Sequence, residues 1–127
     1  MSLRIGTLNI WNLLGPWEER LPSIRNGVRA ENVDVLFLQE VVKTEGLDQA
    51  ELIAEGHEYN VVYGRHTGAR LPIGNAILSR FPVLHHEVFD LPTGDTIERR
   101  TLVYALLNAP FGQLPFFGRA NSKAVHQ

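Results

Sequence analysis

The chain has 127 residues, with 12 Lys and Arg against 14 Asp and Glu, five His and no Cys. A chain of this length can bury one modest core, so one domain over residues 1–127 is expected. The net charge of −2 excludes a nucleic-acid binder that works by bulk positive charge, and the absence of Cys excludes a disulfide scaffold, a Cys-ligated zinc site and a cysteine nucleophile. Apolar residues make up 44% of the chain and charged residues 20%, a globular balance. No apolar run reaches the roughly 20 residues of a membrane span. The N-terminus carries no h-region and no small-residue cleavage site, so a cytoplasmic setting is expected. Charge is uneven: residues 1–56 hold five basic and nine acidic side chains, and residues 57–100 hold five of each.

Leu3, Ile5, Leu8 and Ile10 alternate in part and predict a first strand. Gly15-Pro16 marks a loop. Leu21, Ile24 and Val28 then recur at helical spacing, with Pro22 suited to the first turn, where its missing N–H costs nothing. Val33 to Val42 is the most apolar segment, and it predicts a strand covered on both faces. Asp48 can cap a short helix that Gly56 closes. Strands follow at Tyr59–Tyr63, at Ile73–Ser79 (with Gly74 where a backbone comes close) and at Val83–Phe89. Pro92 to Asp95 is a turn. Thr101–Leu107 is a long buried strand, paired through a turn at Pro110–Gln113 with a strand at Leu114–Phe117. The order β-α-β-α and then mainly β predicts an α+β, or mixed α/β, domain.

Two residues stand where chemistry collects in open sheets, at the carboxyl ends of strands. Gln39-Glu40 ends the most apolar strand, and Asn9 ends the first strand. Each alone has an ordinary reading, a solvent-facing carboxylate or a strand-end hydrogen bonder. If the two strands are parallel neighbours, both side chains emerge at one sheet edge. Together they offer a carboxylate and an amide oxygen, hard ligands suited to Mg²⁺ completed by water and phosphate oxygens. His57 and His66 sit beside glycines and are expected in loops at the surface. His85 and His86 are adjacent, so on a strand they point to opposite faces and cannot chelate one metal. There is no nucleophile elbow, Walker loop or dinucleotide fingerprint.

Four segments carry a resemblance. They are Leu3-Arg4-Ile5-Gly6-Thr7-Leu8-Asn9-Ile10-Trp11, Asp34-Val35-Leu36-Phe37-Leu38-Gln39-Glu40-Val41, Gly74-Asn75-Ala76-Ile77-Leu78-Ser79-Arg80-Phe81-Pro82-Val83, and Glu98-Arg99-Arg100-Thr101-Leu102-Val103. In this order the chain resembles the endonuclease/exonuclease/phosphatase superfamily. The resemblance implies a DNase I-like four-layer α/β/β/α sandwich, here its first half. It implies Mg²⁺-dependent hydrolysis of phosphoric esters, with Mn²⁺ as an alternative ion. Carried over by position, Glu40 is the metal-ligating glutamate and Asn9 the asparagine beside it. Asn75 and Arg100 border the substrate cleft, and the Arg fork suits phosphate oxygens. The phosphoester implied is nucleic acid, an inositol phosphate or a phospholipid head group. The acidic balance favours a small or lipid-like ester over DNA.

The family pattern continues with a Thr-His pair, an Asp-x-Asn and an Asp-His pair. Here Phe117 leads to Gly118-Arg119-Ala120-Asn121, and no Asp follows Asp95. The expectation is that the C-terminal part is missing or aberrant from about residue 118, and that this chain alone, lacking the general base, is inactive. The alternative is a non-enzymatic α+β module that binds a partner, or a second copy of itself, through uncovered sheet surfaces.

Overall fold

A computed structural model describes residues 2–66, 72–90 and 99–122. The elements run β1 (Ile5–Asn9), α1 (Trp17–Glu31), β2 (Val35–Val42), α2 (Gln49–Ala54), β3 (Asn60–Arg65), β4 (Ile73–Ser79), β5 (Val83–Asp90), β6 (Arg99–Ala109) and β7 (Gly112–Ser122). They build two sheets, one in the order β1-β2-β4-β3 and one in the order β5-β6-β7. The β1-α1-β2 crossover makes β1 and β2 parallel, whereas the other strand pairs are antiparallel. This is the α+β class that the element order predicts.

Side-chain alternation sorts two cores. Leu36 and Leu38 of β2 and Leu78 of β4 face Val28 of α1 and Ile53 of α2. The intervening residues, Val35, Phe37 and Ile77, face Val103, Ala105 and Leu107 of the second sheet. The apolar run of β2 is therefore buried on both faces, as expected. Among the described residues the layers are α/β/β. Both helices lie on the first sheet, and the second sheet exposes Leu84 and Phe117. Among the described residues no helix is long and apolar enough to cross a membrane.

α1 starts earlier than the sequence suggests. Pro22 is not in the first turn; it lies inside a helix that begins at Trp17 after Pro16. Two contacts pull the start forward. Trp17 is buried in the helix-side core, and the Arg20 guanidinium donates to the carbonyls of Ile10 (2.7 Å) and Leu14 (2.6 Å). α2 follows expectation, with the Asp48 carboxylate accepting from Glu51 N–H at 3.1 Å. β7 continues through Gly118 to Ser122, so the departure from the family pattern begins inside a strand. The predicted turn at Pro92–Asp95 lies outside the described residues.

Two glycines let the layers close. A β-carbon at Gly74 would run into the Gly64 carbonyl across the ladder, the close approach expected there. A β-carbon at Gly64 would stand 2.7 Å from Val103 Cγ2 and 3.0 Å from Val88 Cγ2. The second sheet therefore packs directly onto β3 backbone at this point.

Candidate active site

The site grows from an irregularity in β2. Leu38 pairs with Ala76 and Val41 with Gly74, so Gln39 and Glu40 together oppose the single residue Asn75. This is a β-bulge, a device that re-aims a side chain. Glu40 therefore does not end the strand, as its sequence position suggests. The strand resumes after it at Val41 and Val42, which stand opposite Gly74 and Ile73. At the bulge Glu40 takes φ +58°, a left-handed conformation that disfavours a residue with a β-carbon.

Neighbouring groups hold that conformation. The Glu40 carbonyl accepts from Asn12 N–H at 2.9 Å, and the Gln39 carbonyl accepts from Ile10 N–H at 3.0 Å. Val42 N–H donates to the buried Gln49 Oε1 at 2.7 Å, and Gln49 Nε2 donates on to the Asn12 carbonyl at 2.9 Å. The loop after β1 is itself left-handed at Trp11 (φ +60°) and Asn12 (φ +41°). Asn tolerates this region better than most residues.

The result is a clamped carboxylate. Asn9 Nδ2 donates to Glu40 Oε2 at 2.8 Å, and Asn12 Nδ2 donates to Oε1 at 3.0 Å. Asn9 Oδ1 accepts from Trp11 N–H at 2.8 Å, which fixes the direction of the amide. Asn9 and Glu40 thus meet as anticipated from parallel neighbouring strands. Asn12 and Gln49 carry no sequence signal, because their roles depend on a loop fold and a bulge.

Asn75 is fully buried, and neither its Oδ1 nor its Nδ2 has a hydrogen-bond partner among the described residues. It pairs with Gly64 in the ladder. Two residues along, His66 extends that ladder by donating its N–H to the Ile73 carbonyl at 2.9 Å. His66 is not the surface histidine expected; it is 3% exposed. Its Nδ1 lies 2.7 Å from Thr101 Oγ1 of β6. The missing side chain at Gly64 allows this contact, since it lets the second sheet approach. Burial pushes the His66 pKa below the ordinary 6.5, while the carboxylates of Glu40 and Asp90 pull it back up. Arg100 stands on β6 in register with Asn121, one residue before Thr101. His85, exposed on β5, pairs with Glu87 at 2.9 Å and stays out of this cluster.

Among the described residues no group of three or more His, Asp or Glu gathers as a metal cage. The donor set still suits Mg²⁺. That ion keeps several waters and binds through one or two carboxylates plus substrate phosphates. Each Glu40 oxygen has one amide donor and a lone pair to spare.

An α-faced first sheet packed on a second sheet, with a glutamate and carboxamides at one rim, defines the DNase I-like fold. The chain belongs to the Endonuclease/Exonuclease/phosphatase family, a family of phosphoester hydrolases, whose model matches residues 6–116. It is 30% identical over 141 aligned positions to the uncharacterized protein YbhP of Escherichia coli K12, a match covering 98% of this chain and 51% of YbhP. An endonuclease/exonuclease/phosphatase family protein from Leptotrichia buccalis matches with TM-score 0.76 at 17% identity, over 92% of this chain and 53% of that one. ANGEL2, a 2′,3′-cyclic phosphatase solved with adenosine-2′,3′-vanadate, matches with TM-score 0.71 at 20% identity, over 92% and 40%. The chain thus spans about half the length of the curated relatives it matches.

Proposed function

We propose that the protein is a Mg²⁺-dependent hydrolase of phosphoric esters, and that this chain carries the metal and substrate side of its site. The observation that carries the reading is the Glu40 carboxylate, aimed by a left-handed bulge and clamped by Asn9 and Asn12. A strained residue kept in place by several hydrogen bonds marks a functional position.

Glu40 would hold the ion. Asn9, whose Nδ2 is spent on Glu40 and whose Oδ1 is taken by Trp11 N–H, orients the carboxylate and keeps one lone pair for the ion. When bound, Mg²⁺ would polarise the phosphoryl group and favour charge on the departing oxygen. Asn75 and Arg100 serve the phosphate: a carboxamide can donate to one oxygen, and an Arg fork can pair with two. No Asp follows Asp95 to orient a base histidine. We infer that the 127-residue chain by itself does not turn over, and that a small or lipid-like ester is favoured over DNA by the acidic balance.

Two measurements test this. Mg²⁺ titrated into the chain should shift the amide signals of Asn9, Asn12 and Glu40, and Glu40→Gln should abolish the response. On a chain of the relatives' length, hydrolysis of bis-p-nitrophenyl phosphate should require Mg²⁺ or Mn²⁺ and fall severely in Glu40→Gln. Wild-type activity and metal dependence in that variant would refute the assignment.

A further inference from the structure

His66 is unexplained by the metal side of the site. It is a buried imidazole that feels the Glu40 carboxylate, yet it bonds none of Glu40, Asn9 and Asn75. Its partner, Thr101, comes from the opposite sheet. Diagonally across the ladder lies Asn75, a buried carboxamide with both polar atoms unpaired among the described residues. A buried amide in that condition carries a desolvation cost; native proteins retain such groups where a water, an ion or a ligand completes them.

We propose that His66 is a substrate-contacting residue, positioned by Thr101, whose Nε2–H joins the Asn75 amide in holding a phosphoryl oxygen beside Glu40. With the Thr101 hydroxyl donating to Nδ1, the ring proton resides on Nε2. The neutral ring is then a hydrogen-bond donor that adds no positive charge next to a metal site. Gly64 is part of the device, because only a residue without a side chain lets β6 bring Thr101 up to the ring. Surface histidine pairs such as His85–Glu87 lack this support from a second sheet.

The inference rests on the phosphoester reading, and the experiment separates the two. The ring nitrogens of His66 are followed by long-range ¹H–¹⁵N NMR on the 127-residue chain while inorganic phosphate is titrated in. The expected result is an Nε2–H tautomer whose Nε2 resonance moves with phosphate. His66→Leu should weaken phosphate binding about tenfold or more, as expected for one lost hydrogen bond to a charged group. His66→Gln, which keeps a donor at a similar reach, should recover most of it. Thr101→Val should weaken binding and Thr101→Ser should restore it, a rescue that a purely structural threonine would not show in phosphate affinity. A protonated Nδ1, an Nε2 signal indifferent to phosphate, or equal affinity in His66→Leu would overturn the proposal. If phosphate still moves His66 while Mg²⁺ does nothing at Glu40, the proposal stands and the metal assignment falls.

Discussion

Gly64 and Val103 face each other across the two sheets with no space for a β-carbon between them. The 2.7 Å that would separate Gly64 Cβ from Val103 Cγ2 is far inside van der Waals contact. Gly64→Ala should therefore destabilise the chain by about 1–3 kcal/mol through overpacking. Urea denaturation checks this: the midpoint should drop with little change in slope. The His66–Thr101 hydrogen bond should weaken in the same variant, visible as a changed ring-nitrogen shift.

Gln49 is the hidden support of Glu40. Its side chain is fully buried and joins Val42 N–H to the Asn12 carbonyl. Gln49→Leu conserves bulk but leaves both backbone groups without this partner. The expected cost is about 1–3 kcal/mol, with Mg²⁺ affinity falling as the Asn12 loop loosens. An unchanged melting temperature and unchanged Mg²⁺ response would show that the bulge holds itself.

Asn75 predicts the opposite sign. Its amide is buried without partners among the described residues, so Asn75→Leu should raise stability by about 1–3 kcal/mol. The same variant should bind phosphate more weakly. Thermal melting and phosphate titration on one sample read both effects, and a destabilised variant would show that the amide has a structural partner.

Stability should fall below neutral pH. Burial lowers the folded pKa of His66 below 6.5, and burial together with nearby arginines lowers that of His57. Above about pH 6.5 both rings are neutral folded and unfolded, and their contribution is complete. As pH falls below 6.5 the unfolded chain takes up protons first, so stability declines until the folded rings also titrate. Denaturation midpoints from pH 7.5 to 5 should show this decline. His66→Gln, which cannot titrate, should flatten it.

Much of the architecture was legible because periodicity and burial agree. The alternating Leu36/Leu38 and Val35/Phe37 sets fill two cores, and Asp48 caps α2 as its position predicts. Asn9 and Glu40 could be paired from the parallel β1–β2 arrangement alone. Other features depend on tertiary contacts that leave no periodic trace. Pro22 sits inside α1 because Trp17 and Arg20 are anchored elsewhere. His66 lies beside glycines and polar residues, a loop signal, yet its burial is set by Gly64 and by a strand 35 residues away in the chain. Asn12 and Gln49 become part of the site only once the bulge exists.

The left-handed backbone at position 40 also bears on how this sequence responds to selection. Gly or Asn would occupy φ +58° with less strain than Glu. Screening for heat resistance rewards relief of such strain, and it equally rewards apolar replacements of Asn75. A library enriched by thermal challenge alone should therefore drift at these two positions first. Its survivors would be sturdier and would have lost the carboxylate and the amide that set this rim apart, so any stabilisation campaign must hold residues 40 and 75 fixed.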